Sequence, residues 1–158
     1  MHLPVCTGSR HFIPKISVPV ELLLVDNETI TGKMFVTEDR VSAGGNPMIE
    51  EFLNDDPDQF FPFESDAGAY RLINKRQIAF IRTEQDDSEI KEQTPIKPRN
   101  LVAHFTNERT VYGMVYPTLA EESRVSDLIN QDEDFLSVYQ NGQKIIVNRH
   151  HIIYVNAN

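Results

Sequence analysis

One cysteine in 158 residues leaves Cys6 without an internal disulfide partner, a usage that fits a reducing cytoplasm. No apolar run is long enough to cross a bilayer, so no membrane association is expected. The first twenty residues carry Pro4, Pro14 and Pro19 and no continuous apolar stretch of signal-peptide length, so secretion is not expected either. Catalytic patterns are missing too. There is no phosphate-cradling glycine loop, nucleophile elbow or HExxH. Gly44-Gly45 lacks the Lys-Ser/Thr that would make it a phosphate site, and reads as a flexible connection. Positive charge is scarce: 15 Lys and Arg against 24 Asp and Glu give a net charge of −9. That balance opposes general polyanion binding, which depends on Lys and Arg releasing counterions. No Cys/His pair has zinc spacing, and the adjacent His150 and His151 point to opposite faces of an extended chain while His104 stands alone. These absences lead to an expectation of a non-enzyme with no metal and no cofactor.

What the chain has instead is a duplication. Leu72-Ile73-Asn74-Lys75-Arg76-Gln77-Ile78-Ala79-Phe80-Ile81 is answered by Ile146-Val147-Asn148-Arg149-His150-His151-Ile152-Ile153-Tyr154-Val155. Thr29-Ile30-Thr31-Gly32 is answered by Thr110-Val111-Tyr112-Gly113, Phe52-Leu53-Asn54 by Leu128-Ile129-Asn130, and Phe60-Phe61-Pro62-Phe63 by Phe135-Leu136-Ser137-Val138. Four blocks recur in one order. The offset shrinks from 81 at Gly32/Gly113 to 76 at Asn54/Asn130 and 74 at Asn74/Asn148, so the second copy is the shorter. Two modules of roughly 60–65 residues sit near the lower limit for a self-sufficient core, so each is expected to pack on the other or on further chains.

Each copy reads strand, strand, short helix, strand, strand, strand. Val20 to Val25, the turn Asp26-Asn27 and Thr29 to Val36 make a hairpin, repeated by Leu101 to Phe105, Asn107-Glu108 and Val111 to Tyr116. Gly32 and Gly113 recur inside the second strand, where a small barrel needs a bend or bulge. Asn46-Pro47 is read as an N-cap with proline at the first helical position, followed by a one-sided stripe of Met48, Ile49, Phe52 and Leu53. Val125, Leu128 and Ile129 after Ser123 repeat the stripe. Three further strands close each copy: Phe60 to Glu64, Tyr70 to Ile73 and Ile78 to Ile81, then Phe135 to Tyr139, Lys144 to Val147 and Ile152 to Val155. The expected organisation is a leader over 1–17, a first repeat over 18–83, a linker over 84–99 and a second repeat over 100–158. The linker is polar, carries Pro95 and Pro98, and turns from acidic to basic. The fold class expected is mainly β: two tandem five-stranded barrels, each with a short helix inserted between its second and third strands.

Val20-Glu21-Leu22-Leu23-Leu24-Val25-Asp26-Asn27 through Gly32 resembles the first signature of Sm-like proteins, and Leu72 through Ile81 resembles the second, especially in its bacterial RNA-chaperone (Hfq-like) form. Arg149-His150 is close to the Lys-His pair of that branch. The resemblance covers about half of each repeat and implies small Sm-like or SH3-like barrels. The helix departs from the Sm-like pattern, which carries it before the first strand, and three tandem chains would be needed to imitate six subunits. The helix-inserted pattern also resembles a poorly characterised bacterial domain family, a resemblance that implies no activity. Fold likeness does not transfer function.

The candidate binding residues are Asn74, Lys75 and Arg76 with Asn148, Arg149 and His150, in a tight step between the last two strands of each copy. The Hfq likeness implies an RNA phosphate or base at these positions. The plain alternative is an Asn suited to a turn, with solvated basic neighbours. Asp55-Asp56-Pro57-Asp58 and Asp132-Glu133-Asp134 follow the helices and read as solvated loop charge without an EF-hand pattern. Leu23 and Val25 are apolar where their counterparts His104 and Thr106 are polar, which places them at an inter-repeat or oligomer contact, or under the leader. The functional expectation is a non-catalytic interaction module that takes a protein partner or forms a homo-oligomer. RNA binding is the alternative.

Overall fold

The computed structural model describes residues 14–119, 121 and 123–157. Cys6 and most of the expected leader lie outside the described residues. Ten strands in chain order are β1 (Lys15–Leu24), β2 (Thr29–Thr37), β3 (Phe60–Ser65), β4 (Tyr70–Asn74), β5 (Ile78–Glu84), β6 (Arg99–Phe105), β7 (Thr110–Val115), β8 (Phe135–Gln140), β9 (Gln143–Asn148) and β10 (Ile152–Ala157). Helix α1 (Ile49–Asp55) lies between β2 and β3, α2 (Ser88–Gln93) between β5 and β6, and α3 (Val125–Ile129) between β7 and β8. No helix among the described residues is long and apolar enough to cross a membrane.

The strands do not form two closed barrels. They make one continuous sheet in the order β10-β6-β7-β8-β9-β5-β1-β2-β3-β4. The halves nevertheless share one internal order, since β10-β6-β7-β8-β9 corresponds strand for strand to β5-β1-β2-β3-β4. The two are joined by the antiparallel pairing of β5 with β9, from Phe80 opposite Val147 to Glu84 opposite Gln143. Every strand is thereby paired on both sides except β4 and β10 at the ends.

β1 begins five residues earlier than expected, because the alternation that buries Val18, Val20 and Leu22 is already running at Lys15. Its backbone pairing with β5 covers only Glu21 to Leu24, so the missing N–H of Pro19 breaks no ladder on that side, and the Pro19 carbonyl accepts the Thr83 hydroxyl of β5 instead. α1 starts at Ile49 rather than at Pro47, with Met48 in the cap position, and buries Ile49 and Leu53. Asn46 caps no helix. Its side chain donates instead to Glu89 Oε1 at 2.7 Å, tying the loop before α1 to α2 of the linker.

Each of the two cores takes residues from both halves. Phe135 and Ile146 of the second half join Leu22, Met34, Ile49, Phe61, Phe63 and Ile81. Leu23, Ala79 and Phe80 of the first half join Leu101, Ala103, Phe105 and Val138. This exchange follows from the pleat. On strands buried on both faces, alternate residues serve opposite cores.

Candidate functional site

The two expected basic steps are short 3-10 turns, Lys75–Gln77 and Arg149–His151, each started by an asparagine whose Oδ1 accepts the backbone N–H two residues on. The first cation of each step bonds to backbone carbonyls, while Arg76 and His150 stay exposed. Lys75 is buried, and its Nζ donates to the carbonyls of Leu53 (3.1 Å) and Asp56 (2.7 Å) at the C-terminal end of α1. A lysine there satisfies orphaned carbonyls and complements the negative end of the helix. Burial lowers its pKa, partly countered by the carboxylates of Asp56, Asp58 and Asp134. Arg149 also donates to a carbonyl, from Nε to Glu133 at 3.1 Å, but that carbonyl lies in the exposed loop beyond α3 rather than at the helix end. His150 pairs with Asp134 at 2.7 Å.

Asn148 is buried and crosses the seam, its Nδ2 donating to the carbonyl of Ile78 at 2.9 Å. Its counterpart Asn74 accepts from Arg76 and Gln59, but its Nδ2 has no acceptor among the described residues. The structure thus brings four of the six step residues, Lys75, Arg76, Asn148 and His150, to an open cleft of about 690 Å³ that also carries Asp56, Asp58 and Asp134, while Asn74 and Arg149 lie outside its lining. Of the group only Arg76 is exposed with no side-chain partner among the described residues. Carboxylates outnumber free cations at this cleft. That is an unfavourable surface for a phosphate backbone. No cluster of three metal-ligating side chains occurs among the described residues.

The seam is the most elaborated surface in the molecule. Leu23 is 4% exposed and packs in the second core, with Val25 against it. Asn54 of α1 grips Phe135 of β8 reciprocally, Nδ2 to the carbonyl at 3.0 Å and Oδ1 from the N–H at 2.9 Å. Glu50, one helical turn earlier, takes the ammonium of the fully buried Lys144 at 2.6 Å and accepts the Ser137 hydroxyl. Asn27, Asn107 and Arg109 lock the two hairpin turns together. None of these polar partners was legible as a seam residue in the sequence. The signal available was that Asn54 recurs as Asn130 and that Lys144 stands where the first copy has Tyr70.

A half-open pocket of about 170 Å³ lies against the second core and is lined in part by Ala103 and Val138, which stand where the first half has the larger Leu22 and Phe63. At the ends of the sheet, Phe60, Tyr70 and Leu72 are exposed on β3 and β4, and Ile153 and Tyr154 on β10. These are five of the seven large apolar side chains exposed among the described residues. No family model, curated protein or solved structure matches the chain.

Proposed function

We propose that this chain is a non-catalytic interaction module that contacts other proteins through its two open strand edges. The halves are read as Sm-like small barrels merged into one sheet. The observation that carries the reading is the coincidence of unpaired backbone with exposed apolar side chains at β4 and β10. Open edges are normally blunted by charge, proline or a covering segment. Here they keep Tyr70, Leu72, Ile153 and Tyr154 in solvent. An edge of this composition supports addition of a further strand, in which backbone hydrogen bonds give affinity and side-chain pockets give selectivity.

RNA binding is less well supported, because Lys75 and Asn148 are committed to carbonyls inside the protein and Arg149 to the carbonyl of Glu133 in a surface loop. Fluorescence anisotropy with labelled mixed-sequence RNA at about 50 and 200 mM salt separates the readings. The interaction-module reading expects no binding at low salt. Salt-sensitive binding that is lost in an Arg76→Glu variant would replace it with the RNA reading.

A further inference from the structure

The β5·β9 seam is a worked example of what the two open ends would do to each other. By the repeat correspondence β9 is the second half's version of β4, and β10 is its version of β5. The chain already joins a strand of the β5 kind to one of the β4 kind, and leaves one of each kind free. Resting on the interaction-module reading, we propose that the partner is a second copy of this chain, added head to tail with β4 of one copy antiparallel to β10 of the next.

The register follows from the seam. Phe80 opposite Val147, Ile81 opposite Ile146, Arg82 opposite Ile145 and Thr83 opposite Lys144 become Tyr154 opposite Ile73, Val155 opposite Leu72, Asn156 opposite Arg71 and Ala157 opposite Tyr70. The local geometry needed is present at both ends. β10 leaves β6 through an irregularity between Ile152 and Tyr154, matching the one where β5 meets Leu23 and Leu24 of β1.

The side chains fit the same template. Phe135 and Ile146 face away from their own half and enter the first core, and both are at most 4% exposed. Their counterparts Phe60 and Leu72 point the same way from the first half and are 49% and 62% exposed. Asn130, which answers Asn54, is placed to bridge the backbone of Phe60 in the next copy. In the single chain it binds its own helix at the Ser126 carbonyl. The Asn74 amide, without an acceptor now, acquires the Ile152 carbonyl, as Asn148 has that of Ile78. The open end is more polar than the seam. His104 replaces Leu23 and stacks on Tyr154 at 4.3 Å, and Tyr70 replaces Lys144. The buried Glu50–Lys144 link therefore has no counterpart there, and the joint between copies is reversible where the seam is permanent. A heterologous joint of this kind propagates into a ring or an open chain, never a two-fold dimer.

The test is sedimentation velocity on three proteins: the unaltered chain, Leu72→Asp and Ile153→Asp. Both substituted residues are exposed, so the fold tolerates the change. The unaltered chain is expected to exceed the mass of one chain as concentration rises, while each variant alone stays at that mass. Mixed together, the variants are expected to form a complex of two chains and no larger, because each retains the edge that the other has lost. Self-association of either variant alone, or a mixture that stays single, overturns the head-to-tail joint. A second measurement does not rely on disruption. In a Cys6→Ser background, Arg71→Cys with Asn156→Cys is expected to give a ladder of disulfide-linked chains on mild oxidation. The register-shifted pair Arg71→Cys with Ile153→Cys is expected to give none. Antiparallel neighbours lie within disulfide reach only when directly opposed. If the unaltered chain stays single at every concentration, the second copy is rejected. The interaction-module reading survives that result only if foreign proteins bind and are lost when both edges carry aspartate.

Discussion

Gly32 and Gly113 recur because backbone comes too close for a side chain, and not because the chain needs a positive φ there. A Cβ on Gly32 would lie 2.2 Å from the Glu64 carbonyl oxygen and 2.8 Å from Ser65 Cα, and one on Gly113 would lie 2.5 Å from the Tyr139 carbonyl oxygen. Both contacts are with the third strand of the same half, which pairs alongside the second. Gly32→Ala must push that strand away, and is expected to cost about 1–3 kcal/mol in urea-melt stability. Gly113→Ala should behave alike, and a change below about 0.5 kcal/mol at both positions would mean the strands separate freely. Recurrence made the glycines legible in the sequence. Lys75 was not legible, because a basic residue beside a turn asparagine has the pattern of a solvated loop. Only the arrival of the C-terminal end of α1, twenty residues back in sequence, gives its ammonium the Leu53 and Asp56 carbonyls. Lys75→Ala is expected to destabilise by about 1–3 kcal/mol by leaving those carbonyls unsatisfied. The same variant should leave RNA anisotropy unchanged.

Among the elements, strands and the two repeat helices were placed by periodicity, since each buries one face and alternation or a two-turn stripe is enough to show it. α2 was missed, because Ser88–Gln93 buries no residue and so leaves no stripe in the composition of a linker. It is held by two carboxylates, Asp87 at its N-cap, which accepts from the Tyr116 hydroxyl, and Glu89. Glu89 accepts from the Ser42 hydroxyl (2.7 Å), the Gly44 N–H (2.9 Å) and the Asn46 amide (2.7 Å), reaching from the linker to the loop ahead of α1. These donors, the Asn46 amide first, hold the Glu89 pKa below its ordinary value of 4.5. A carboxylate with a depressed pKa in the folded state contributes stability that is present above about pH 4.5 and lost as pH falls through the lower folded value. Glu89→Gln is therefore expected to flatten the acid limb of the melting-temperature profile below pH 4.5, with the two curves converging at the acid end. Parallel curves from pH 3 to 7 would show that the carboxylate's charge contributes nothing there. The larger miss concerns pairing. Sequence pattern marks β5 and β9 as strands but does not say that they lie side by side, because edge selection depends on which backbone groups remain open once each half has formed. Two closed barrels and one shared sheet leave the same alternation in the sequence.

At the scale of the molecule, sharing a sheet changes what counts as a folding unit. Separate barrels would carry separate cores, and the halves could melt independently. Here Phe135 and Ile146 complete the first core, while Leu23, Ala79 and Phe80 complete the second, so losing either half strips buried apolar surface from the other. The central ladder compounds this. β5, β1 and β9 lie well inside the ten-strand order, each paired on both sides, and β5 and β9 are paired with each other. The chain is accordingly expected to unfold in one cooperative step despite its duplicated sequence, with the slowest-exchanging amides of β1, β5 and β9 reporting a single opening free energy that matches the global value from urea. Native-state hydrogen exchange resolved by strand makes the comparison directly. Two tiers, with β6 and β7 opening well below β1 and β2, would mean that the halves behave as independent units and that the shared cores add little. A single tier would place the seam, rather than either repeat, at the centre of the molecule's stability. The strand arrangement left open at β4 and β10 would then be one that this chain already relies on to hold itself together.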